Sequence, residues 1–160
     1  MAKITHKITP FLWFDNQAEE AMRFYCSVFK NAKPGTITRY GDSGPGPKGS
    51  VMTATFEIEG LEITLLNGGP VFKLTEAISL HIACDTQAEI DYLWEKLSEG
   101  GSKSRCGWLK DKFGLSWQVG HAHWAEMLAD TDRARAGRVM QAVIGMTKID
   151  LAKLKQAAAG

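Results

Sequence analysis

Several side chains in this 160-residue sequence are of types that do chemistry. Cys106 precedes Gly107-Trp108 and lies close to Asp111. A thiol needs little help to act as a nucleophile. No base is adjacent in sequence, so a structural thiol is the simpler reading. His121 and His123 have the H-x-H spacing that metal sites use on strands. They fall where strand gives way to helix, with no third ligand nearby, and read as surface histidines. His81 stands alone within Ile78-Ser79-Leu80-His81-Ile82-Ala83-Cys84. That setting suits an interior histidine with satisfied hydrogen bonds as well as a ligand-facing one. Trp13, Trp108, Trp117 and Phe56 lie in β-like segments. Rings on a cupped sheet suit a planar, apolar ligand, and they equally suit plain core packing. Asn67 ends a strand-like run before Gly68-Gly69. It reads as a turn residue or as a polar group at a cleft mouth.

The elements that must position these groups occur twice. Ile8–Phe14 reads as a strand, and a helix follows, opening at Asn16 with Glu19 three residues on. Ile78–Cys84 reads as a strand, with a helix opening at Thr86 and Glu89 three residues on. Both pairs have the form of a capping box. Met22, Tyr25, Cys26 and Phe29 make an apolar stripe on the first helix, and Ile90, Leu93, Trp94 and Leu97 repeat its spacing on the second. Each half runs on through β segments to a closing strand. Gly60-Leu61-Glu62-Ile63-Thr64-Leu65 aligns with Gly114-Leu115-Ser116-Trp117-Gln118-Val119, so Thr64 and Gln118 share one offset from a glycine. The expected fold is therefore α+β: two βαβββ modules, about 4–67 and 77–120, in a curved mixed sheet around a cleft. A first strand over 4–14, a turn over 31–35 and a strand over 36–40 are expected in module one. Residues 41–49, rich in Gly and Pro, form either a lid or a surface hairpin loop. A helical extension occupies about 122–159, with apolar faces at Val139, Met140, Val143, Ile144, Leu151 and Leu154.

Length is that of a single domain over 1–160. A net charge of +1 gives no sign of nucleic-acid or membrane partners. No apolar run approaches a membrane span, and the first residues lack the apolar stretch of a signal peptide. Three cysteines without CxxC spacing fit a reduced, cytoplasmic protein.

Four stretches carry a resemblance: Ile8–Phe14, Glu20–Tyr25, Leu66–Pro70 and, most specifically, Cys106–Gln118. They resemble the PhnB-like proteins, a branch of the glyoxalase/bleomycin-resistance/dioxygenase (vicinal oxygen chelate) superfamily. The similarity extends over nearly the whole chain, C-terminal helices included. It implies paired βαβββ modules and a homodimer. Members often carry the label 3-demethylubiquinone-9 3-methyltransferase. Methyl transfer from S-adenosylmethionine calls for a glycine-rich turn between strand and helix. The glycines at 41–49 and 68–69 are not so placed.

The superfamily pattern also implies four metal-ligand positions, two per module. Carried onto this sequence they are Pro10, Thr64, His81 and Gln118. Proline offers no ligand atom, threonine a neutral hydroxyl, and glutamine a weak donor. The expectation is a cleft without a tightly bound metal or other cofactor, holding a small organic molecule. His81, Gln118 and Thr64 would lie on its floor and Trp13, Trp108 and Asn67 near its wall. Catalytic residues are unassigned, and enzyme status stays open. The alternatives are a metal-dependent lyase, isomerase or dioxygenase of the superfamily, and a non-catalytic metabolite- or drug-binding protein.

Overall fold

The computed structural model describes residues 7–160, so Ile4–His6 of the expected first strand lie outside the described residues. The chain divides into two compact units, Met1–Leu74 and Thr75–Gly160. The first contains β1 (Phe11–Phe14), α1 (Ala18–Val28), β2 (Ala32–Arg39), β3 (Val51–Ile58) and β4 (Leu61–Asn67). The second contains β5 (Ser79–Cys84), α2 (Gln87–Ser98), β6 (Ser102–Lys103), β7 (Trp108–Lys110) and β8 (Ser116–His121). It continues through α3 (Trp124–Leu128), α4 (Arg133–Ile144) and α5 (Leu151–Ala159).

Each unit forms one four-stranded mixed sheet with the same connectivity, β1-β4-β3-β2 and β5-β8-β7-β6. In both, the first strand runs parallel to the closing strand and the other pairs are antiparallel. The duplication legible in the sequence is thus a duplication of topology. Gly60 (φ 81°) and Gly114 (φ 89°) occupy the left-handed conformation that turns the chain into β4 and toward β8. That explains the shared glycine offset.

Each helix packs one stripe on its own sheet. Ala18, Ala21, Met22, Tyr25 and Val28 are buried on α1, and Tyr25 stacks on Phe56 of β3 at 5.5 Å. Ile90, Leu93, Trp94 and Leu97 are buried on α2. Thr86 caps α2, accepting the Glu89 N–H at 3.2 Å, while Glu89 accepts the Asp85 N–H at 3.0 Å. The first helix departs from expectation. It begins at Ala18, Asn16 does not cap it, and the Ala18 N–H donates to Asn67 Oδ1 at 2.8 Å. The expected 31–35 turn is also replaced. β2 starts at Ala32 and absorbs Pro34 through a register shift between Pro34 and Ile37. An irregular edge strand can accommodate a residue that lacks an N–H.

The 41–49 loop folds onto Tyr40. A Cβ at Gly44 or Gly46 would strike the Tyr40 ring, at 2.6 and 2.3 Å. The Tyr40 hydroxyl donates to the Asn67 carbonyl at 2.5 Å, and the Gly49 N–H donates to the Tyr40 carbonyl at 2.8 Å. The loop is a packed hairpin connection.

Among the described residues, no helix is long and apolar enough to cross a membrane.

Candidate functional site

The second unit's sheet sets three side chains in a row. His81 of β5 pairs with Gln118 of β8, which pairs with Trp108 of β7. Since Trp117 and Val119 face the core, residues 118 and 120 face the other way. His81, Gln118, Trp108, Gly120 and Cys106 line one cavity of about 130 Å³. Trp124, Met140, Val143, Ile144, Ile149 and Leu154 of the C-terminal segment form its other wall.

Gly120 is where two elements meet closely. A Cβ there would lie 2.9 Å from His81 Nε2, so the imidazole rests over the glycine. Much of His81 is open to solvent, yet loss of hydration around the ring pushes its pKa below 6.5. The ring is therefore neutral at neutral pH, with one nitrogen free to accept and the other to donate. It has no hydrogen-bond partner among the described residues. Gln118 Nε2 donates to Ser79 Oγ at 2.8 Å, which leaves its carbonyl oxygen unpaired among them. Ser116, on the same strand face, is buried with an unpartnered hydroxyl.

The Cys106–Gln118 stretch is built around a carboxylate. Asp111 is 3% exposed and accepts the N–H groups of Phe113 (2.9 Å) and Leu115 (3.1 Å) and the Trp117 indole N–H (2.8 Å). Asp111 is thus committed to holding the β7–β8 turn and is not a base for Cys106. Trp117 belongs to the core, as does Phe56 at 1% exposure; neither faces a ligand. Cys106 turns the chain in a left-handed conformation (φ 58°), and its N–H donates to the Met146 carbonyl at 2.9 Å. With the Gly107 N–H donating to Thr147 O at 2.8 Å, this lays the 146–147 segment alongside 106–107.

In the first unit the corresponding row is Phe11, Thr64 and Thr55. Phe11 stands opposite Thr64 as His81 stands opposite Gln118. The counterpart of His81 is therefore Phe11, not Pro10. Thr64 is 5% exposed. The other two candidates of this unit are occupied locally. Asn67 spends its amide on the Ala18 N–H and, at 3.1 Å, the Val51 carbonyl. The Trp13 indole N–H donates to Gly69 O at 2.7 Å, and its ring meets Phe72 edge-on at 5.0 Å. Of the six expected site residues, His81, Gln118 and Trp108 come together around one cavity; Thr64, Trp13 and Asn67 belong to the first unit.

The metal positions implied by the superfamily hold a phenyl ring, a hydroxyl, an imidazole and an amide. That set lacks a carboxylate and does not suit a resident divalent ion. Among the described residues no group of three or more His, Cys, Asp or Glu side chains could hold one. His121 and His123 are taken up locally: His121 Nδ1 accepts the His123 N–H at 2.9 Å, and His123 Nδ1 lies 3.0 Å from Glu126. His121 also reaches the cavity wall, a role that its spacing did not signal.

Residues 6–120 match the sequence model of the 3-demethylubiquinone-9 3-methyltransferase family. The chain belongs to this family. PhnB from Bacillus cereus, described by that same methyltransferase name, is 40% identical, with a TM-score of 0.67. The match covers 73% of this chain and all of that one. PA1353 from Pseudomonas aeruginosa is 23% identical with a TM-score of 0.61, covering 73% of this chain and 98% of that one. The fosfomycin resistance protein FosX from Mesorhizobium loti is 16% identical (TM-score 0.56), covering 80% of this chain and all of that one. These place the fold with the glyoxalase superfamily. No curated protein matches the chain. The family match stops at residue 120 and leaves out the C-terminal helices, where the resemblance read from sequence extended over them. From the sequence, their apolar residues Val139, Val143, Ile144 and Leu151 are one of two candidate covers for the open sheet, and Val143 and Ile144 do line the cavity. Their apolar stripes were visible, but a stripe does not say what it covers.

Proposed function

We propose that this protein binds a small organic molecule, without a resident metal, in the second unit's cavity. One observation carries the reading. His81 and Gln118 present unpaired polar atoms to a largely apolar cavity whose far wall is a separate helical segment. A few convergent polar groups in an apolar pocket are the usual composition of a ligand site.

The family description names methyl transfer to a ubiquinone precursor. That reading draws no support from the geometry. The 41–49 loop joins two strands and Gly68-Gly69 follows a strand without opening a helix. A cavity of about 130 Å³ also falls well below the pockets that usually enclose a drug-sized ligand. A homodimer remains part of the proposal. Edge strands β1 and β5 carry or adjoin exposed Phe11 (63%) and Ile78 (52%), apolar groups that a second copy would cover. Sedimentation velocity at tens of micromolar, roughly where weak association shows, tests it, and a monomer would refute it. Native mass spectrometry of EDTA-treated protein against a library of small organic molecules tests the binding reading. Saturable binding lost in His81→Ala supports it; binding that needs an added divalent metal overturns it.

A further inference from the structure

We propose that the cavity selects an uncharged molecule the size of a single ring, bearing one hydrogen-bonding oxygen. Its size limit is set by Met140, Ile144 and Leu154 of the C-terminal helices. The proposal rests on the reading of the cavity as a ligand site and adds the ligand's class and the source of its selectivity.

Size comes first. The cavity measures about 130 Å³. An enclosed apolar cavity of about 150 Å³ accepts benzene, so the sheltered part of this one matches a single ring. Drug-sized ligands use pockets of about 300 Å³ and above.

Charge comes next. No Lys, Arg, Asp or Glu lines the wall. An ionised ligand would shed part of its hydration and gain no counter-charge, which disfavours it against a neutral one. A phenol or a cyclic ketone carries a single oxygen that the imidazole or the Gln118 amide can pair. Burial around the His81 ring keeps it neutral, which suits such a partner.

Selectivity has its own source. Residues 6–120 hold the family match, and 73% of this chain accounts for the whole of the Bacillus cereus protein. Met140, Ile144 and Leu154 all fall beyond residue 120, so the limiting wall is not part of the matched fold. Leu154 is 1% exposed and fixed, whereas Met140 (37%) and Ile144 (50%) stand at the open side. The last two can be shortened without disturbing the core.

The test uses the full chain and follows the indole N–H resonances of Trp108 and Trp124, both in the wall, during titration with phenol, benzoate and 2-naphthol. Phenol is expected to shift both resonances saturably. Benzoate and 2-naphthol should bind at least about tenfold more weakly. Ile144→Ala, and Met140→Ala as an independent variant, should narrow the gap between 2-naphthol and phenol, read as the ratio of their dissociation constants in each variant. If benzoate equals phenol, the neutral class is wrong. If 2-naphthol equals phenol in the wild type, or neither variant changes their ratio, the size limit is wrong and the ligand site still stands. If none of the three compounds shifts either indole, both the proposal and the ligand-site reading fall.

Discussion

Replacing Gln87 by alanine should loosen the C-terminal wall without unfolding the chain. Gln87 is half-buried on the first turn of α2. Its Nε2 donates to the Ile149 carbonyl and to Asp91 Oδ1, each at 3.0 Å, and its Oε1 accepts the Leu151 N–H at 2.9 Å. One side chain thus ties the segment before α5 and that helix's first N–H to α2. Asp91 keeps Lys148 at 2.7 Å, so its bond to Gln87 adds little. The two long-range bonds, to Ile149 and Leu151, contribute about 1 kcal/mol each. The expected loss is about 2 kcal/mol, roughly a thirtyfold change in the unfolding equilibrium. Ile149 (4% exposed) and Leu151 (8%) would be left with poorly hydrated backbone groups, which pushes the loss upward. The hydrogen bonds from Cys106 and Gly107 to Met146 and Thr147 remain, so the fold survives. Gln87→Glu keeps an acceptor for Leu151 but sets a carboxylate against the Ile149 carbonyl and Asp91, so it should destabilise at least as much. Urea unfolding followed by tryptophan fluorescence gives the loss, and amide exchange over 146–159 locates it. An alanine variant within about 0.5 kcal/mol of wild type, with unchanged protection there, would refute the reasoning.

Gly120→Ala should displace the His81 ring, because the new methyl would sit 2.9 Å from Nε2 and a side chain yields more easily than a strand. Stability should change by less than about 1 kcal/mol, while the His81 pKa, followed by NMR, moves back toward 6.5; an unmoved pKa would count against the placement. The depressed His81 pKa has a signed consequence. The unfolded chain holds the proton more tightly than the folded one, so this group's contribution is complete above about pH 6.5 and is lost as pH falls through the folded value. Unfolding free energies measured from pH 8 down to about pH 5 should therefore fall more steeply in wild type than in His81→Gln, and parallel profiles would remove the claim. Asp111→Ala strands three donors around a buried carboxylate site and should cost about 3–5 kcal/mol. A denaturation midpoint close to wild type would show that the turn is not organised by that carboxylate.

The two modules were legible because their signals are local. A capping residue, a helical stripe and a glycine in the left-handed region act within a few residues, so Thr86 with Glu89, Ile90 to Leu97, and Gly60 with Gly114 could be read in line. The repeat matches Gln118 with Thr64, and the superfamily resemblance supplies His81; that His81 and Gln118 are direct neighbours in one sheet comes from the strand register. The misreadings concern partners far apart in sequence. Asn67 caps a helix 49 positions earlier, and no local pattern announces an acceptor arriving from another strand. Trp117 carries a polar handle that suits a ligand wall as well as a core; Asp111, which decides the matter, is recognisable only once the turn has closed. β2 begins earlier than the Pro34-Gly35 pair suggested because the bulge lets a strand pass through residues that usually end one. The site's outer wall was the least legible part. Met140 and Ile144 sit on a stripe whose period fixes a helix face but not the surface that the face meets.

The central claim is that His81 engages a neutral organic ligand with no metal between them. Long-range 1H–15N NMR of the histidine rings, recorded on EDTA-treated protein during a phenol titration, tests it most directly. The account predicts a saturable shift of the His81 ring nitrogens with His123 unchanged. A spectrum in which His81 stays still until zinc, nickel or manganese is added, and then moves, would contradict it.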